Sequence, residues 1–275
     1  MNTTYQQTIF DVIVIGNGPA GLSAAINVRQ RNGSVLVMGL PLAGNPLYKA
    51  AEVDNYPGLE KISGKALLEK MTEHARHKGA LFTEERVLAA LPYDGKWMVT
   101  SGKNIYTGRH VVFAGGVVRG GTFPGEGQFL GRGVSYCATC DGMLYRNKNI
   151  LIIGYSEGDA ADVAYLKGLS PHVTYIRSPK HVAIQGGTHV ESVTVDGRTI
   201  PVDGLFLLRP VLSPATVLKG LELEDGFVKI DDACQTNLPG VYAAGDCTGA
   251  PFQVAKAVGQ GLVAGQAAVH YSASL

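Results

Sequence analysis

One pattern occurs twice in this chain: an apolar strand runs into a glycine turn and then into a helix. Residues 10–15 (FDVIVI) form a short β-branched run of the kind buried in a parallel sheet. The run breaks into Gly16-Asn17-Gly18-Pro19-Ala20-Gly21, and residues 22–28 continue with helical spacing. Strand, GxGxxG and helix in that order are the dinucleotide-binding fingerprint in its required context. Gly16 makes the turn, Gly18 admits a pyrophosphate to the backbone, and Gly21 lets helix pack on strand. The phosphates then lie at the positive end of the helix dipole. Residues 34–38 read as the second strand, but Gly39 follows where an acid would hold the ribose hydroxyls, so other groups must hold them.

The second copy is altered. Residues 149–154 are again a buried strand, followed by Tyr155-Ser156-Glu157-Gly158-Asp159 and a helix over 160–166. Only Gly154 keeps its place; Ser156 and Asp159 stand where small residues are needed. Glu157 and Asp159 put two negative charges where a pyrophosphate would bind, which opposes phosphate and suits acids that cap a structural helix. The next strand, 173–176, leads to Arg177-Ser178-Pro179-Lys180, two separated cations rather than an arginine cluster for a 2′-phosphate. Residues 182–209 are largely hairpin-like, with Asp196-Gly197 as a turn, and are too few for a complete doubly wound domain.

Between the two copies stands Gly133-Val134-Ser135-Tyr136-Cys137-Ala138-Thr139-Cys140-Asp141-Gly142. If this stretch opens a helix, Cys137 and Cys140 lie on adjacent turns, close enough for a disulfide with little backbone movement. Free N–H groups at a helix start favour a thiolate. A zinc site would need a second pair of ligands at matching spacing, and none occurs. A purely structural disulfide closing so small a loop restrains the unfolded chain very little. A vicinal dithiol beside an acid, Asp141, reads as redox chemistry.

The remaining segments frame these motifs. A loop-rich stretch, 41–58, ends in Asn55-Tyr56-Pro57-Gly58, and an amphipathic helix from Ser63 to about Lys78 presents Leu67, Leu68, Met71 and Ala75 on one face. His74 and His77 lie on its solvated side. Strand-like runs follow at 86–90, 96–100 and 109–113, the last ending in Ala114-Gly115-Gly116. Residues 227–230 and 241–243 read as strands. The latter ends in Gly245-Asp246, whose carboxylate suits a ribityl hydroxyl, and a Gly- and Ala-rich helix over 252–271 closes the chain, packed on the sheet or on a partner subunit.

Composition excludes several classes. The net charge of +1 gives no bulk attraction to nucleic acid or a membrane surface, and four cysteines in 275 residues are too few for a disulfide-stapled scaffold. The start lacks a basic flank and apolar run, and no apolar stretch reaches spanning length, so a cytoplasmic protein is expected.

In order and spacing, GNGPAGLSAA, EVDNYPG, GEGQFLGRGVSYCATCD, TNLPGVYAAGD and the closing Gln253-Val254-Ala255 with Gly259-Gln260-Gly261 resemble the low-molecular-weight thioredoxin reductases over nearly the whole chain. The resemblance implies an α/β chain of two Rossmann-like, three-layer (β-β-α) domains. The FAD domain would be discontinuous, 1–117 with 213–275, and 118–212 would form a shortened second domain carrying the CxxC. It implies a homodimer with thioredoxin as substrate. It assigns FAD contacts to Gly16, Gly18, Pro19, Ala20, Gly21, Asn55, Ala114, Gly115, Gly245, Asp246, Gln253 and Val254. Cys137 and Cys140 become the redox disulfide, with Cys140 facing the flavin and Asp141 handling its proton; no metal is implied.

GYSEGD and Arg177-Ser178-Pro179 depart from the NADPH-using members, and the shortened second domain, GYSEGD and PFQVAKAVG resemble the ferredoxin-dependent flavin thioredoxin reductases. Reduced ferredoxin is therefore the expected donor, with Lys256 and Arg177 as basic candidates for docking it, although a solvated surface role suits each better. His270 and Tyr271 are candidates to reach a flavin face. An NADPH-dependent enzyme, a thiol-to-flavin enzyme with a second flavin, and a non-catalytic flavoprotein scaffold remain as alternatives.

Overall fold

The computed structural model describes residues 8–117, 123–155, 159–209 and 213–272. The chain divides into two compact units, Met1–Val117 with Val211–Leu275, and Val118–Pro210.

The first unit begins as its sequence dictates. β1 (Ile9–Ile15) lies parallel to β2 (Val35–Met38), with Val12 opposite Val35 and Ile15 opposite Met38. α1 (Pro19–Gln30) crosses between them. α2 (Gly64–His77) starts where Ser63 Oγ accepts the Ala66 N–H at 3.2 Å, and it leads to β3 (Leu81–Thr83) on the sheet's outer edge. An antiparallel meander of β4 (Ala89–Tyr93), β5 (Lys96–Thr100) and β6 (Ile105–Phe113) completes the order β3-β2-β1-β6-β5-β4. β4 lies three residues later than expected and contains Pro92. Proline cannot donate to a ladder, but β4 is an edge strand, where no donor is needed on the open side.

The second unit opens with two short pieces, α3 (Glu126–Phe129) and β7 (Val134–Ser135), and the single turn α4 (Ala138–Asp141). β8 (Ile150–Gly154), α5 (Ala160–Leu169) and β9 (Val173–Arg177) make the repeated strand–helix–strand. A meander of β10 (Val182–Gly186), β11 (Val190–Val195) and β12 (Arg198–Pro201) precedes β13 (Gly204–Leu208). β7, β13, β8 and β9 form a parallel sheet in that order, and β10 to β12 form a separate antiparallel one. Alternation along β8 and β13 decides the layers. Leu151, Ile153, Leu205 and Leu207 pack against Val182, Ile184, Val193 and Val195 of the meander, whereas Ile150, Ile152, Phe206 and Leu208 pack against Val163 and Leu166 of α5. The result is a three-layer, Rossmann-like unit reduced to four parallel strands.

The chain returns to the first unit through α6 (Pro214–Val217) and the two-residue strands β14 (Leu223–Glu224) and β15 (Phe227–Val228). β16 (Val241–Ala243) joins the first sheet beside the far half of β6, with Val241 opposite Val111. α7 (Val254–Ser272) follows. Its small residues pack against α1. A Cβ at Gly261 would lie 2.1 Å from the Ala20 carbonyl oxygen, and Ser23 Oγ donates to the Val258 carbonyl at 2.7 Å. Val12, Val14, Val35 and Val37 are buried under α1 and α2, and full burial of such side chains stabilises by about 1.5–3 kcal/mol each.

Candidate redox and dinucleotide sites

The turn after β1 is built by backbone contact. Gly16 sits at φ 116°, and a Cβ there would fall 2.2 Å from the Ala114 carbonyl oxygen; one at Gly21 would fall 1.9 Å from the Gly16 carbonyl oxygen. Both positions are closed to any other residue. Gly18 is the N-cap of α1 without a side-chain cap, Pro19 opens the helix, and no acid lies in its first turn. The helix start therefore keeps free N–H groups and positive potential for an anion. Beside it, Ala114 donates its N–H to the Ile15 carbonyl at 2.8 Å, and Gly115 continues that loop. At the end of β2, where the expected acid is missing, Asn17 donates Nδ2 to the Leu40 carbonyl at 2.6 Å and fills the space over Gly39.

The loop after β16 meets the same helix. A Cβ at Gly245 would lie 2.8 Å from the Ala20 Cβ, and Gly245 N–H donates to Gln260 Oε1 at 2.9 Å. Burial raises the Asp246 carboxyl above its ordinary value, and the nearby Lys256 ammonium partly offsets this. Lys256 Nζ donates to the Gly245 carbonyl at 3.1 Å, to Thr248 Oγ1 at 3.2 Å and to the Gly249 carbonyl. Lys256 is half-buried rather than a freely solvated cation, and its ammonium staples the loop that carries Asp246. Asn55 donates Nδ2 to Gln253 Oε1 at 2.6 Å, so two predicted residues nearly two hundred positions apart do meet. Val254 opens α7 directly after them. A buried-backbone turn, an uncapped helix start and a half-buried carboxylate fit a dinucleotide with a hydroxylated chain, the chemistry of FAD.

In the second unit, Cys137 is disulfide-bonded, while Cys234 and Cys247 of the first unit are free and buried. The helix expected to open at the CxxC is only the single turn of α4, followed by the 3-10 turn Gly142–Tyr145. So short a helix adds little dipole, and local hydrogen bonds order the site instead. Ser135, 3 % exposed, donates Oγ to Asp141 Oδ2 at 2.6 Å and accepts the Cys137 N–H at 3.1 Å. Cys137 Sγ lies 3.7 Å from Thr139 Oγ1. The side chains of Cys140, His270 and Tyr271, and residues Ser156, Glu157 and Gly158, lie outside the described residues. Ser135 was not singled out in the sequence, although a serine two residues before a turn is a hydroxyl–backbone signal.

One step before Cys137, Tyr136 donates its hydroxyl to Glu126 Oε1 at 2.7 Å. Glu126 also accepts the Phe123 N–H at 2.9 Å and both terminal nitrogens of Arg209, Nη2 to Oε2 at 2.9 Å. Arg209 covers the Phe123 ring at 4.7 Å. This buried pair joins the segment that enters the second unit to the one that leaves it.

The second glycine turn holds its own acid. Asp159, 1 % exposed, does not cap α5 with its side chain; instead Oδ2 accepts the Tyr155 N–H at 2.9 Å. Arg177 ends β9, Ser178 turns at φ 49°, and Lys180 donates its N–H to Asp196 at 3.1 Å.

The family profile described as pyridine nucleotide-disulphide oxidoreductase matches residues 10–156 and 169–261. The chain is 32% identical to a thioredoxin reductase of Listeria innocua, over 97% of this chain and 95% of that protein. Its fold is similar to a ferredoxin-flavin thioredoxin reductase of Clostridium acetobutylicum with TM-score 0.92 and 32% identity, over 98% and 99% of the two chains. It is also similar to the thioredoxin reductase of Gloeobacter violaceus with TM-score 0.84 and 28% identity, over 99% and 97%. The chain belongs to the pyridine nucleotide-disulphide oxidoreductase family, among its thioredoxin reductases, which are FAD flavoproteins.

Proposed function

We propose that this protein reduces the disulfide of thioredoxin through a Cys137–Cys140 dithiol, with FAD held in the first unit and electrons drawn from reduced ferredoxin rather than NADPH. Gly16, Gly18, Pro19, Ala20 and Gly21 would hold the pyrophosphate, with Ala114 and Gly115 beside them. Asp246, kept in place by Lys256 and Gln260, would take a ribityl hydroxyl, and Asn55, Gln253 and Val254 would line the remaining side. FAD, when bound, supplies the electrons that open the protein disulfide.

The rest is thiol chemistry. One cysteine thiolate attacks a sulfur of the thioredoxin disulfide, forming a mixed disulfide and releasing a thioredoxin thiolate. The second cysteine then attacks the mixed disulfide. This restores the Cys137–Cys140 disulfide and releases the second thioredoxin sulfur. Each departing sulfur needs a proton and each attacking thiol must lose one, and Asp141, which accepts a hydrogen bond from Ser135, would carry it. Met143 and Leu144, 54% and 67% exposed just beyond the CxxC, offer an apolar surface where thioredoxin would dock.

The observation that carries the choice of donor is the second glycine turn, where the buried Asp159 carboxylate lies 2.6 Å from where a Cβ on Gly154 would be and sets a negative charge against an incoming phosphate. The family profile lapses at residues 157–168, within that turn and its helix, and the similarity to the Clostridium acetobutylicum ferredoxin-flavin enzyme supports the same donor. The homodimer implied by the resemblance and the cytoplasmic location expected from the sequence belong to this reading. Among the described residues no helix is long and apolar enough to cross a membrane. Anaerobic reduction tests the donor: ferredoxin is expected to bleach the flavin rapidly and NADPH to leave it oxidised, and rapid bleaching by NADPH refutes the ferredoxin assignment.

A further inference from the structure

We infer that Tyr136 is a positioning residue for the dithiol, its hydroxyl tethering the backbone of Cys137 to the buried Glu126–Arg209 pair so that the first cysteine stays fixed while the disulfide opens and closes. The inference rests on the CxxC exchange chemistry proposed above and adds a residue to it.

Side chains alternate along the stretch that enters the CxxC. Val134 and Tyr136 pack with the apolar cluster of the meander, which includes Ile184 and Val193, whereas Ser135 between them reaches Asp141. The backbone of Cys137 is therefore held from both faces. From one face, Ser135 Oγ accepts the Cys137 N–H at 3.1 Å, and the Cys137 carbonyl accepts the Asp141 N–H at 3.3 Å. From the other, the Tyr136 hydroxyl donates to Glu126 Oε1 at 2.7 Å.

The anchor itself is pinned at several points. Glu126 is 1 % exposed, and its carboxylate takes hydrogen bonds from Tyr136, from the Phe123 N–H and from both terminal nitrogens of Arg209. The residue before it, Gly125, sits at φ 84°, where a Cβ would fall 2.4 Å from the Ile184 carbonyl oxygen. The Ile184 N–H donates to the Pro124 carbonyl at 2.9 Å. Glu126 is thus fixed to β10 by its own backbone and to the end of β13 through Arg209. A hydrogen bond to a charged, desolvated acceptor is stronger than one between neutral groups, which makes the phenol a firm tether for the cysteine that follows it.

The chemistry needs such a fixed point. Reduction breaks the Cys137–Cys140 bond, adds two electrons and two protons, and lets the sulfurs separate; oxidation by thioredoxin must bring them together again. How readily the bond re-forms depends on how closely the protein holds the two thiols, which is an effective concentration. Loosening the first cysteine lowers that concentration, shifts the equilibrium toward the dithiol and spreads the geometries from which exchange proceeds.

Tyr136→Phe removes only the hydroxyl and keeps the ring for its apolar cluster. FAD-loaded wild type and variant are equilibrated anaerobically in mixtures of reduced and oxidised dithiothreitol, which exchange two electrons and two protons with the CxxC. Alkylation and mass spectrometry read the reduced fraction. The variant's dithiol-to-disulfide ratio is expected to rise about threefold or more at a given buffer composition, and single-turnover reduction of thioredoxin to slow about tenfold. A purely structural role would lower the urea midpoint and leave the ratio unchanged. An unchanged ratio in folded Tyr136→Phe enzyme overturns the proposal. Should that variant not fold, Glu126→Gln, which keeps the shape of the acceptor but removes its charge, takes its place, and an unchanged ratio there overturns it. The exchange reading fails separately, if pre-reduced wild type leaves the thioredoxin disulfide intact.

Discussion

Ser135 donates its hydroxyl to Asp141 Oδ2 at 2.6 Å while its oxygen accepts the Cys137 N–H at 3.1 Å. One buried hydroxyl thus fixes both the backbone of the first cysteine and the carboxylate proposed to move its proton. Ser135→Ala is expected to slow thioredoxin reduction by about tenfold with FAD content unchanged, because the acid remains but loses its orientation. Asp141→Asn removes the proton carrier and is expected to cost about a hundredfold or more. Ser135→Thr keeps the hydroxyl and should stay near wild type. Single-turnover exchange between pre-reduced enzyme and thioredoxin measures all three.

What was legible in the sequence was what short-range sterics determine. Gly16 and Gly21 touch each other's backbone across five residues, so their spacing alone predicts the turn and the helix that follows it. Burial along β8 and β13 follows from an unbroken apolar run, and the three-layer unit follows from its alternation. The misplaced edge strand β4 shows the limit, since Pro92 argues against a strand unless the strand is known to lie at an edge. Lys256 was invisible as a staple because its partners are three loop oxygens brought near only when α7 folds back on α1. Asp159 reads equally well as a cap in sequence, and only the backbone decides whether it points forward or back. The Glu126–Arg209 pair, 83 residues apart, leaves no local signal at all.

Burial holds the Asp246 carboxyl above its ordinary value in the folded protein, so the folded state binds its proton more tightly than the unfolded chain does. Stability is then present at low pH and falls as pH rises through the interval between the ordinary and the raised value. FAD-free Asp246→Asn protein is expected to lose that decline and to unfold at a higher temperature than wild type near neutral pH. The same variant should release FAD more readily. Thermal unfolding of the FAD-free proteins between about pH 4 and pH 7, with flavin retention on gel filtration, checks both outcomes.

The two cysteines outside the CxxC are expected to be inert. Burial pushes the Cys247 thiol up to about 12, its hydrogen going to the Ala244 carbonyl at 3.3 Å, and pushes Cys234 up to about 11. Neither forms appreciable thiolate at neutral or mildly alkaline pH. Reduced native enzyme should therefore show two rapidly reacting thiols with a disulfide reagent at about pH 8, and four only after unfolding. A third fast thiol in the native state contradicts this assignment.

Lys256→Met removes the ammonium that ties the Gly245 and Gly249 carbonyls together but keeps much of the apolar stem. The Asp246 loop is expected to loosen, with FAD affinity falling by about tenfold and the second unit unaffected. Titration of FAD-free protein with FAD measures the first change, and the reactivity of the CxxC thiols serves as the control for the second.

Glu126 and Arg209 are 1 % and 3 % exposed, and each would be costly to bury alone. Burial by itself would raise the Glu126 carboxyl; the Arg209 guanidinium, the Phe123 N–H and the Tyr136 hydroxyl outweigh it and hold the carboxyl below its ordinary value. A depressed folded value means that the unfolded chain binds the proton more tightly. The stabilisation is therefore fully present at neutral pH and is lost as pH falls through the carboxylate range. Arg209→Met leaves the carboxylate buried without its cation and is expected to destabilise by about 3–5 kcal/mol. Glu126→Gln leaves the guanidinium in the same position and should cost a similar amount. Combining the two removes both charges, so the double variant is expected to recover much of either loss, since much of each comes from the charge left behind. Urea unfolding of the four proteins at neutral pH closes this cycle, and strict additivity of the two losses would show that the pair is not coupled.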